Sequence, residues 1–178
     1  MRYSKHCLIL LVTMGFGACH REVTQPAPPP PFYTKTSIRE LMDAEVDPAA
    51  DAVWESVAYI DGEEKRPHTP EEWQAVRRSA VTLVEATNLL VMDGRRIAPV
   101  GAHYVDEVDP EVLQARLDAN RASFVGMAQA LRVAALKTLD AIDAQDTNRI
   151  FELGSDLDAV CEACHVAYWY PPDLQPKP

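Results

Sequence analysis

Cys161-Glu162-Ala163-Cys164-His165, close to the C-terminus, is the stretch of this chain whose residue types and spacing point most directly to chemistry. Cys-x-x-Cys-His is the pattern of covalent c-type haem attachment. Two thiols at that spacing can add to the two vinyl groups of one haem. The histidine directly after the second thiol is then placed to bind the iron from one face. A cofactor held by such bonds is not lost by dissociation, which matters outside the cytoplasm, where free cofactor is diluted away.

Other chemistries use part of the same pattern. A thioredoxin-like redox pair needs a strand before it and a helix starting at the first cysteine. Here Ile150, Phe151, Leu153, Leu157 and Val160 recur at helical spacing ahead of Cys161, so the pair falls toward the end of a helix. A structural zinc site needs more ligands, and the chain has no second Cys-x-x-Cys and no His-x-x-x-His. A plain disulfide between Cys161 and Cys164 stands as the bland alternative.

The 178 residues, 47% of them hydrophobic, suffice for one well-buried domain. The N-terminus reads as something else. Arg2 and Lys5 precede a short apolar run from Cys7 to Gly17, the pattern of a secretory signal over residues 1–18, too short to span a membrane. Gly17 and Ala18 favour a cut just before Cys19, whose thiol would then carry lipid and anchor the protein. Phe16 departs from the aliphatic residue such lipoprotein signals usually show, and simple secretion with an incidental Cys19 is the alternative. Either way the expected location is the periplasm. Residues 19–35 include Pro26 and Pro28 to Pro31, a semi-rigid extended tether ahead of a domain at 36–178.

The net charge is −10, and removing Arg2 and Lys5 with the signal leaves −12. Nucleic acid is an unsuitable partner for such a chain, because phosphate binding needs a basic patch. An acidic surface suits a basic protein partner.

Helices must carry these residues, since no stretch shows sustained period-two alternation and there are 7 glycines. The first helical stretch runs from about Ser37 to Ile60, with Ile38, Met42, Ala49, Val53, Val57 and Ile60 on one face and a kink or restart expected at Pro48. The second is capped by Thr69 with Pro70 in its first turn, and ends at Gly94. The third starts at Asp109-Pro110 and continues through Phe124 and Met127 to Ile142 as one long helix. The fourth starts near Asp146, passes through the cysteine motif and stops at Pro171-Pro172. The expected fold is all-α: an antiparallel up-down-up-down four-helix bundle, with ligand sites in its core.

A four-helix domain with Cys-x-x-Cys-His near the end of its last helix resembles the class II cytochromes c, the cytochrome c′ family. Phe151-Glu-Leu-Gly154 leading into Cys161-Glu-Ala-Cys164-His165-Val-Ala-Tyr168 is similar to that family's final helix. The Asp109-Pro110-Glu111 helix start and the first-helix segment with Arg39 and Met42 also fit, so the resemblance covers roughly residues 36 to 170. It implies that Cys161 and Cys164 are the thioether positions, that His165 is an axial iron ligand, and that Arg39 lies near a haem propionate. An ordinary solvated surface role for Arg39 is equally open. One departure stands out. Family members often carry Arg or Lys three or four places after the histidine, where this chain has Tyr168, Trp169 and Tyr170.

The sixth iron position decides the function that the resemblance implies. Members with an open position bind small gases such as NO; members with methionine there are low-spin and carry electrons. Bundle topology brings Met42, Met92 and His103 to the end that holds the motif, leaves Met127 near mid-helix and puts His68 at the far end. Met42, one turn into the first helix, is the expected ligand. A register shift of one would substitute Leu41 or Asp43, Met42 as core packing is the competing role, and His103 is the rival ligand. The expectation is thus an extracytoplasmic one-electron carrier with one covalent haem c, iron held by His165 and Met42, and a redox partner protein. It is not an enzyme. Family members are often dimers packed through their first two helices. A peroxide-reducing site would need a distal acid–base group, for which only Arg39 and His103 are available.

Overall fold

A computed structural model describes residues 32–105 and 107–175. The signal, Cys7, Cys19 and all of the tether up to Pro31 lie outside the described residues. The fold is mainly helical: α1 (Ile38–Leu41), a π-helical turn (Met42–Val46), α2 (Asp47–Trp54), a hairpin of β1 (Ala58–Ile60) and β2 (Glu63–Lys65), α3 (Pro70–Leu90), α4 (Pro110–Ala119), α5 (Arg121–Asp143) and α6 (Thr147–Tyr168). Among the described residues no helix is long and apolar enough to cross a membrane.

The helix starts follow from local chemistry. Thr69 caps α3 in a reciprocal capping box with Glu72, with Pro70 in the first turn; Ser37 does the same for α1 with Glu40; the Asp146 side chain accepts from Arg149 N. The remaining first-turn donors of α1 are met from outside the helix: Ile38 N donates to Arg96 O and Arg39 N to Ile97 O. Arg96 and Ile97, between α3 and α4, are therefore stitched to the start of α1.

Two expectations need correction, and a third, the irregularity at Pro48, is met in a specific form. The first helix ends at Trp54, not Ile60, because Asp61 and Gly62 both take positive φ (53° and 85°) and close a two-residue hairpin turn. Ile60, expected in the core, is exposed on β1. The expected kink at Pro48 takes the form of the π turn ahead of it: Pro48 has no N–H for the Ala44 carbonyl, and the chain widens so that Asp47 N reaches Met42 O. The long third helix is two helices. Asn120 (φ −124°, ψ 31°) breaks it, its side chain donating back to Arg116 O at 2.9 Å, a bond that competes with helix continuation.

α5 packs against both α3 and α6, and α3 also packs against α2. Leu83, Val53, Leu153 and Leu157 are fully buried between them. Trp54 on α2 donates its indole N–H to Gly154 O on α6 at 3.2 Å, joining these helices at one end. The larger of the two cavities described below lies between the π turn, α2, α5 and α6, with Trp54 in its wall.

Arg95 is the structural residue least visible in the sequence. It is 5% exposed, yet among the described residues it has no carboxylate partner. Its guanidinium donates to Leu89 O, Thr36 O and Thr36 Oγ1, tying the end of α3 to the residue before the Ser37 cap. Arg95→Met keeps much of the apolar stem but orphans these acceptors. A loss of about 2–3 kcal/mol in unfolding free energy is expected, read from urea denaturation. A loss below about 0.5 kcal/mol, the level of an ordinary surface substitution, contradicts this role.

Candidate functional site

Helical spacing puts Cys161, Cys164 and His165 (i, i+3, i+4) on one face of α6. All three are half-buried, and both thiols are free. The face looks into two adjoining cavities of about 250 Å³ and about 60 Å³. Met42, Phe124, Cys164 and His165 line both, and Cys161 lines the larger. The larger lies between the π turn, α2, α5 and α6, with Val46, Ala50, Trp54 and Leu131 in its wall. The smaller is bounded by Ile38, Ile97, Tyr104, Tyr168 and Trp169.

Met42 is buried at the first position of the π turn and faces both cavities. Its neighbours do not share that place: Leu41 is buried but lines neither cavity, and Asp43 is exposed. His103 is exposed and lines neither. Met92 lies apart, its Sδ accepting from Arg95 Nη2 at 3.5 Å. His68 is exposed ahead of α3, its backbone N–H donating to Glu72. Met127 lines the larger cavity, a closer approach than its mid-helix position suggested.

The environment of the thiols bears on their chemistry. Burial pushes Cys161 up to about 11, with Cys164, Asp158 and Asp47 adding to the effect, and burial alone pushes Cys164 up to about 11. At pH 8 each holds about 100-fold less thiolate than an unperturbed cysteine. Reactive thiol pairs sit in the opposite environment, electropositive and partly exposed. In cofactor-free protein, alkylation of this pair by iodoacetamide is expected to be about 100-fold slower at pH 8 than that of a model thiol. It should climb about tenfold per pH unit until near 11. A rate at pH 7 matching the model thiol contradicts this description.

Several site residues carry no motif. Asp47 lies inside the larger cavity, half-buried; burial raises its carboxyl above the usual range, Asp43 and Asp51 push the same way, and His165 opposes them. Asp51, Asp158 and Glu162 also border this cavity, and among the described residues no Lys or Arg does. Phe124 packs edge-on against Tyr168 at 5.3 Å, and the Tyr168 hydroxyl donates to Asn120 O at 3.2 Å. The α4–α5 break therefore anchors the end of α6. The Tyr170 hydroxyl donates to Glu162, which pushes the phenol up to about 12.

Arg39 lines the smaller cavity. It forms a two-pronged pair with Glu107 (Nη1–Oε2 2.5 Å, Nη2–Oε1 3.0 Å), which raises the arginine above its usual range and holds the carboxyl below. It is thus neither a free surface arginine nor an unengaged cation facing the cavity.

No family model matches the chain, and neither a curated protein nor a solved structure matches it.

Proposed function

We propose that this chain is a class II c-type cytochrome of the periplasm: an antiparallel four-helix bundle that carries single electrons through one covalent haem c. Cys161 and Cys164 hold the cofactor by thioethers, and His165 and Met42 ligate its iron. The observation that carries the reading is the placement of Met42 and His165 in the walls of the same two cavities, beside both thiols of a Cys-x-x-Cys-His motif.

The residues present fit that cofactor. The cavity walls are largely apolar, the thiols are held neutral, and a thioether sulfur and an imidazole are available as donors to iron. When bound, the haem would supply a one-electron ferric/ferrous couple. The chain supplies the rest. Cys161 and Cys164 prevent loss of the cofactor. His165 and Met42 fix the ligand field, with a thioether favouring a higher potential than a second imidazole would. Phe124, Leu131, Ile97 and Tyr168 exclude water. The carboxylates around the larger cavity, with the net charge of −10, suit a basic redox partner.

The absorption spectrum of the native protein tests this. Low-spin ferric iron with a methionine–iron band is expected. High-spin iron would overturn Met42 as ligand and favour a gas-binding role.

A further inference from the structure

The Arg39–Glu107 pair lies next to the proposed iron ligand, and its surroundings differ from those of the other ion pairs. The Arg39 guanidinium carbon lies 3.7 Å from the centroid of the Tyr104 ring and 5.1 Å from that of Trp169. The Trp169 ring meets the His165 imidazole edge-on, with centroids 5.0 Å apart and planes at 78°. The Glu107 carboxyl is held low first by its hydrogen bonds to Arg39, with smaller help from the Arg39 charge and from the Trp169 side chain. Glu107, Arg39, Trp169 and His165, from three separate stretches of sequence, thus form one chain of contacts, with Tyr104 under the guanidinium.

α6 ends at Tyr168, and Trp169 follows it with its N–H on His165 O at 2.8 Å. Trp169 stands just past the end of α6, and the guanidinium that lies over its ring belongs to a long, flexible side chain that needs its own anchor. Glu107 provides the anchor in the planar two-pronged geometry that an arginine accepts best. Without it, Arg39 is free to swing into solvent, Trp169 loses its support, and the imidazole loses the ring that packs against its edge.

We infer that Glu107 is a positioning residue for His165, acting through Arg39 and Trp169. The inference deepens the proposed function, since it is the role of His165 as iron ligand that gives the positioning its meaning. A ring held in one plane gives a single ligand geometry and a single reduction potential; a ring released into several gives a distribution. A partly exposed ion pair contributes little to stability, so its effect is expected at the imidazole rather than in unfolding.

The test reads the His165 ring resonances by NMR in protein with labelled histidines, using the full chain in whatever cofactor state it is purified. Glu107→Ala is expected to shift and broaden those signals, and Glu107→Asp to restore them in part. Glu111→Ala is the control: it removes the exposed Arg96–Glu111 pair (2.5 Å) from the same part of the chain, away from both cavities, and is expected to leave His165 unmoved. Should Glu107→Ala not fold, Glu107→Gln removes the charge at nearly constant volume. Unchanged His165 signals in a folded Glu107 variant overturn the inference, as do equal shifts in Glu111→Ala. These signals are read with or without haem. A cofactor-free protein would therefore sink the proposed function and leave this result standing on its own.

Discussion

Under the proposed function, Met42→Leu is expected to abolish the methionine–iron band and to convert the iron to a high-spin form able to take up an added ligand, while the protein stays folded. This is the sharper of two substitutions at the position. Met42 is buried, so Met42→Ala removes a side chain from the core and is expected to cost about 2–5 kcal/mol whether or not the sulfur binds iron. Leucine is close to methionine in volume and costs less than about 1.5 kcal/mol, but it has no lone pair to offer a metal. The spectrum therefore separates the two roles of Met42. If it only packs the core, the Leu variant keeps the native spectrum. If it is a ligand, the band is lost completely and small exogenous ligands bind where they did not before. Met127→Leu is the companion measurement, because Met127 also lines the larger cavity; its spectrum is expected to match the native one.

Replacing both Cys161 and Cys164 by alanine is expected to leave no covalently attached cofactor. Any pigment that still associates through His165 is removed by acidified organic solvent, whereas native colour stays with the polypeptide. Each single variant retains one possible thioether and an intermediate yield. The effect is all-or-none for the double variant because both attachment points sit on one turn of α6, and Cys7 and Cys19 are the only other cysteines in the chain. A disulfide between Cys161 and Cys164 would behave otherwise, since its loss would change stability without any change in colour.

The parts of this architecture that were legible in the sequence are those with local causes. Thr69-Pro70 and Asp146 announce their helices because a cap acts within a single turn, and Cys161, Cys164 and His165 share a face because a helix repeats every 3.6 residues. Met42 was also legible as a candidate, from the periodicity of the first helix and the expected topology. The π turn that carries it was not read, although its signal was present: Pro48 removes the donor for Ala44, and the helix can meet that loss by widening. That widening advances the register and turns Asp47 into the cavity, where a regular count from Met42 does not place it. The hairpin had its Asp61-Gly62 signal too, but strands of three residues are too short to show alternation.

The pairing of Arg39 with Glu107 had no sequence signal at all. The two residues are 68 positions apart, and only the path of residues 91–109 over the start of α1 brings them together. Arg95 ties the same segment to Thr36, through backbone and hydroxyl acceptors that no pattern of residue types reveals.

The central claim is covalent attachment of haem at Cys161 and Cys164, and the most direct measurement of it is the intact mass of the purified, matured protein under denaturing conditions. A mass equal to the processed polypeptide, with any lipid, plus one haem is the expected result. A mass equal to the polypeptide and lipid alone, from colourless protein, contradicts the account.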